Sequence, residues 1–150
     1  MYLFLQKPYA SDAFLLVARL LIAWLFLLFG WSKLIGFAGT VAYMQQVGAP
    51  APVLAASIAV IMEVPVSLAI VLGLLTRPLA VLMALYTLGS ALIGHPYWAQ
   101  TGAEQYASEI DFYKNIAIMG GLFAVYVAGP GQFSVDRWLA SRVQRAPGHG

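Results

Sequence analysis

A chain of 150 residues with 61% of them apolar, only 9% charged and a mean hydropathy of +0.81 is too greasy for a soluble domain, which carries about 25% charged residues and under about 50% apolar ones. The length suits one compact unit, and a net charge of +2 with no basic-aromatic surface array argues against nucleic acid as a partner. With no cysteine, this chain has no disulfide, thiol redox chemistry or cysteine-ligated cluster, and its 2 histidines, His95 and His149, are too few for a histidine-built metal or haem site, so no metal is expected.

Residues 1–11 mix aromatics with Lys7 and Pro8. The apolar run that follows ends in Gly30-Trp31-Ser32-Lys33 without the small-residue cleavage pattern of a secretory signal, so the first helix is expected to stay. Four apolar stretches, 13–31, 51–73, 78–94 and 112–128, approach the length needed to cross a bilayer, about 17–25 residues. The expected fold is therefore all-α: an integral membrane four-helix bundle occupying 1–138, with a short interfacial helix after the first span. Residues 139–150 read as a basic, disordered cytoplasmic tail.

In the first span Arg19, Ala23, Phe26, Gly30 and Lys33 recur at spacings of four and three, which places them on one helical face. Arg19 either faces inward with the small residues or snorkels to the near interface on its long stem. Residues 34–49 are too polar to span. Phe37, Val41, Met44 and Val47 recur there opposite Gln45 and Gln46, as in a helix lying at the interface.

The second span holds Glu63 on one face with Ala56, Ala59 and Ser67. A charge at mid-bilayer costs about 3 kcal/mol on insertion scales, so such residues turn toward protein or a wet cavity and find a partner. Glu63 is either functional or a structural tie between helices. Pro65 removes a backbone donor, and a kink with a free Ile61 carbonyl is expected beside the carboxyl.

The third span shows Ala80, Ala84, Thr87, Ala91 and Gly94, and the fourth Ala117, Gly121, Ala124 and Ala128. Small residues in rows let membrane helices approach closely. Between these spans, 95–111 reads as a long polar stretch with Tyr97, Trp98 and Tyr106 at headgroup level.

Lys7, Arg77, Arg137, Arg142 and Arg145 fall on the side of the termini, so the positive-inside rule places both termini in the cytoplasm. At 1.5 Å per residue, Arg19 lies roughly 9 Å and Glu63 roughly 15 Å from that side, close enough for an Arg19–Glu63 pair. Tyr86 and Tyr126 lie at compatible depths as hydrogen-bond partners or as core packing. Near the opposite surface, Lys33, His95, Lys114 and Asn115 come to similar heights, with Asp111 one turn before Asn115. Two cations and an imidazole suit an anion, or a quinone whose oxygens accept hydrogen bonds and charge; phospholipid anchoring is the other reading.

In this order, Arg19 through Gly30 and Lys33, Glu63 with Gly73-Leu74-Leu75-Thr76-Arg77, His95, Lys114-Asn115, Gly120-Gly121 and Gly129-Pro130-Gly131 with Ser134 and Asp136-Arg137 resemble the DoxX family of small bacterial membrane proteins. The resemblance implies a four-helix protein of the bacterial inner (plasma) membrane. It also implies links, in some relatives, to a subunit of thiosulfate:quinone oxidoreductase or to membrane complexes handling oxidative and sulfur stress.

Three functions follow as expectations. The first is the membrane subunit of a quinone-linked oxidoreductase complex, with a soluble or membrane oxidoreductase partner and Glu63, Arg19, His95 and Lys114 as the candidate catalytic residues. No nucleotide loop or paired haem histidines mark a resident cofactor, so quinone is the one candidate. The second is a carrier for a small metabolite, which with four spans needs a homo-oligomer. The third is a scaffold that holds soluble enzymes at the membrane through the Arg137–Arg145 tail. Membrane lipids surround the protein in all three.

Overall fold

A computed structural model of the chain describes residues 8–145. Four of its helices are long and apolar enough to cross a membrane, covering Ser11–Ile35, Pro52–Leu72, Thr76–Ala99 and Gly102–Ala128. The elements are α1 (Pro8–Ile35), α2 (Phe37–Gln46), α3 (Pro52–Ile61), a π-helical turn (Met62–Val66), α4 (Ser67–Leu72), α5 (Thr76–Gly94), a 3-10 turn (Tyr97–Ala99), α6 (Gly102–Ala128) and α7 (Val135–Arg145). α5 and α6 form the most extensive pair, and α1 packs along the second span from α3 to α4.

The periodic rows in α1, the second span and α5 are the buried faces. Arg19, Ala23, Phe26 and Gly30 of α1, Ala56, Ala59, Glu63 and Ser67 of the second span, and Ala80, Ala84, Thr87 and Ala91 of α5 all turn inward. Phe26, Met62, Ile70, Met83, Ala84 and Leu122 make the apolar centre. Outside it, Leu, Phe, Trp and Val side chains such as Leu21, Trp24, Leu85 and Val127 are exposed. An exterior this apolar is stable only in lipid.

Four expectations need correction. The row in the fourth span points the wrong way: Gly121 packs on Ile22, but Ala117, Ala124 and Ala128 are exposed, while Leu122 and Val125 are buried. The bulk at the α5–α6 contact comes from α6 and the small residues from α5, so one small-residue row is enough for close approach. The polar stretch is not a long loop, because α6 begins at Gly102 and carries Glu104, Glu109 and Asp111 on its first turns. At 27 residues, α6 is about 40 Å long and exceeds a hydrocarbon layer of about 30 Å. The tail from 139 is helical as far as Arg145, and the rest of it lies outside the described residues. Pro65 produces a single π-helical turn, in which the Ser67 hydroxyl donates to the Met62 carbonyl at 3.3 Å. A π turn is a common way for a helix to absorb an extra residue, and such turns gather at functional sites.

Candidate functional site

Gly30 sets the geometry of the site. A methyl group at this position would sit 2.5 Å from Glu63 Cβ and 2.9 Å from the Glu63 carbonyl carbon. Only glycine lets α1 and the π turn touch there. Because Gly30 is level with Glu63, Lys33, one turn further along α1, reaches the carboxylate. Its Nζ donates to Oε1 at 2.7 Å and to Oε2 at 2.5 Å. The Tyr86 hydroxyl of α5 donates to Oε1 at 2.5 Å. Glu63 is only 5% exposed, and an ion in that setting is tolerable because an opposite charge and a neutral donor both meet it.

The expected Arg19–Glu63 pair is not formed. Arg19 lies eleven residues before Gly30 on α1, about 16 Å along the helix axis, too far for its side chain to span. Its guanidinium instead donates from Nη2 to the Phe133 carbonyl at 2.5 Å, while Nε and Nη1 have no hydrogen-bond partner. Nη1 presses on Gly73, which has φ of 70° and whose missing side chain makes room for Arg19 and Ser134. There, Asp136 accepts from the Leu75 and Thr76 amides at 2.9 and 3.1 Å and its own amide donates to the Gly73 carbonyl at 3.0 Å. A carboxylate at the amino end of α5 complements the helix dipole. Arg19 therefore belongs to a clasp that closes the termini end of the bundle, and it does not line the site.

Around Lys33 and Glu63 opens a partly enclosed cavity of about 960 Å³. It runs from Glu63 and Tyr86 at mid-span toward Tyr43, His95, Lys114 and Asn115 at the end opposite the termini. The structure thus brings together Lys33, Glu63, Tyr86, His95, Lys114 and Asn115, all named from sequence except that Lys33 was placed at the surface and not at the carboxylate. Tyr126 is exposed and takes no part. The walls are mostly apolar, supplied by Phe26 and Phe29 of α1, Leu54 and Ile58 of α3, and Ile93 of α5.

The short helix α2 has a role that sequence reasoning missed. Met44 and Val47, at the end of its half-buried row, line the cavity. It is held at the end of α1 by the Thr40 hydroxyl, which lies 3.3 Å from the carbonyls of both Lys33 and Gly36. The adjacent polar residues after a membrane span carried the signal for a cap, but periodicity alone does not distinguish a face turned to lipid from one turned to a cavity.

Charge in the cavity is balanced pair by pair. Lys33 meets Glu63, and Lys114 meets Asp111 at 3.0 Å. The cationic cluster expected for an anion is thereby neutralised. What remains is one free Lys33 proton, since an ammonium has three donors and the carboxylate takes two, together with the polar rim of His95 and Asn115. Such a site fits a neutral, largely apolar molecule whose head accepts hydrogen bonds. Ligand sites of about 300–1,000 Å³ with apolar walls and a few converging polar groups are of this kind. Among the described residues no three His, Cys, Asp or Glu side chains gather as a metal site would require.

Residues 14–96, from α1 through α5, match the DoxX family. Inner membrane protein YphA of Escherichia coli (strain K12) is 51% identical over 128 residues, covering 85% of this chain and 91% of that protein. Inner membrane protein YqjF of the same organism is 38% identical over 129 residues, covering 86% of this chain and 94% of its own. No solved structure gives a significant match.

Proposed function

This chain belongs to the DoxX family, and on that premise we propose that it is an inner-membrane subunit that holds a quinone for an oxidoreductase complex. The observation that carries the reading is the 960 Å³ apolar cavity with Lys33, Glu63 and Tyr86 at its base. A bound quinone would supply the two-electron acceptor, and electrons come from a partner protein. The chain's own residues bind and orient it. The free proton of Lys33 donates to a ring oxygen, Glu63 and Tyr86 hold the lysine in place, and the Phe26, Phe29, Ile58 and Ile93 side chains exclude water. His95 and Lys114 at the rim are placed to exchange protons with the aqueous side. The arginine excess on the other face supports a cytoplasmic position for both termini.

The carrier reading has less support. Phe26, Met62, Ile70, Met83 and Leu122 pack between the cavity and the termini end, where the Arg19 clasp closes the bundle. Among the described residues, that arrangement leaves no continuous path from the cavity to the termini end.

The test is to purify the protein in a mild detergent and measure co-purifying quinone by extraction and mass spectrometry, alongside the Lys33→Met variant. About one quinone per chain, lost in the variant while the protein stays folded, supports the reading. A folded wild-type protein that carries only phospholipid and takes up no added short-chain quinone removes it.

A further inference from the structure

Helix α7 is fixed at its start and unpartnered along its length. Its first turn is tied to the bundle by the Asp136 bonds to Gly73, Leu75 and Thr76, and by the Arg19 bond to Phe133. These contacts hold the start of α7 beside the point where the second span ends and the third begins. Beyond that turn no other helix packs extensively on it among the described residues. Val135, Leu139 and Val143 recur at spacing four, so α7 is amphipathic in sequence. Trp138 and Leu139 are exposed, as is Phe133 just before the helix.

Among the described residues, the exposed charges on this end have one sign. Arg77, Arg137 and Arg142 are exposed. The nearby acids are already engaged: Asp136 with two backbone amides, and Asp12 with the Gln132 amide at 3.0 Å. Arg142 stacks over the Trp138 ring at 4.4 Å, which places an indole and a guanidinium side by side. Tryptophan with arginine is the pairing that suits the headgroup layer, where the ring sits among carbonyls and the cation meets phosphate.

We propose that α7 lies on the membrane and docks its Trp138–Leu139 face into a leaflet of anionic phospholipid, with Arg77, Arg137 and Arg142 meeting the phosphates. Amphipathic helices bind in this way through buried apolar area plus attraction to anionic lipid. The helix is a lipid-reading foot of the bundle. This inference is independent of the quinone reading, and it places lipid on the surface that a soluble enzyme would otherwise use.

The chain has no native cysteine, so single spin labels report cleanly. Leu139→Cys and Ser141→Cys lie about 200° apart around the helix. Each is labelled in the full-length protein in nanodiscs of phosphatidylcholine with or without phosphatidylglycerol, and collision with oxygen is compared with collision with a water-soluble nickel chelate. In anionic discs the label at 139 should favour oxygen several-fold over the label at 141. Removing Arg137 or Arg142 by substitution with Gln should weaken that preference by about fivefold per arginine, the attraction expected of one basic side chain at an anionic surface. Two labels equally open to the nickel chelate in anionic discs would overturn the proposal and leave α7 as a dock for a soluble protein. Equal insertion with and without phosphatidylglycerol would overturn the part assigned to charge.

Discussion

The two inward-facing cations of α1 sit in opposite circumstances. Lys33 is paired by both oxygens of Glu63, its side chain is 28% exposed, and it looks into a cavity. Arg19 is 0% exposed, has one carbonyl partner and is wedged against glycine and serine. A buried charge in a membrane span invites a functional reading, and the difference shows what decides it. The lysine has space beside it and a proton to spare; the arginine has neither. One opens on a cavity and the other is a fastening.

Removing one partner from the site should have the largest effect. Glu63→Ala strands the Lys33 ammonium and should cost about 3–5 kcal/mol, read as a loss of monodisperse protein or a large fall in the melting temperature in detergent. The Lys33→Met/Glu63→Met double variant should recover most of that stability and still fail to hold quinone. If Glu63→Ala alone melts like wild type, the pair does not form in the membrane.

The clasp should break through volume. A side chain at Gly73 would meet Ser134 Cα at 2.9 Å and take on the strain of a left-handed backbone. Gly73→Ala should cost about 1–3 kcal/mol by overpacking, leaving quinone affinity per folded molecule unchanged. A change in affinity would show that the two ends of α1 are coupled, which would sharpen the comparison.

Smaller effects separate packing from binding. Tyr86→Phe removes one hydrogen bond to Glu63, worth about 0.6 and at most about 1.7 kcal/mol inside a membrane. His95→Ala, at the half-buried rim, should change stability by no more than about 0.5 kcal/mol, yet slow proton uptake on quinone reduction. A rate unchanged in His95→Ala would move the proton path to Lys114.

Much of the fold was legible because a membrane helix must hide its few polar residues from lipid, and in three of the spans the small residues share that face. The rows through Arg19, Glu63 and Thr87 therefore identified their own buried faces. The same logic failed for Ala117, Ala124 and Ala128 of α6, since lipid accepts alanine as readily as leucine and exacts no penalty for an exposed small residue. Proximity was legible in part, with Glu63, Lys33, His95, Lys114 and Asn115 all lining one cavity and Arg19 outside it. The pairing was not. It depends on the relative height of α1 and the second span, which Gly30 sets by admitting the Glu63 backbone. Counting residues from helix ends misplaced that height because Arg19 is level with Gly73, at the very end of the second span, while α1 continues past that level to Pro8.

The most direct test is photoaffinity labelling with a quinone carrying a diazirine on its ring, in native membranes, followed by peptide mass spectrometry. Adducts on the cavity wall, at Ile58 or Ser90 and Ile93, that vanish with excess unlabelled quinone and in Lys33→Met are the result predicted here. Adducts confined to lipid-facing residues such as Leu21, Leu85 or Val127, unaffected by competitor, would contradict it.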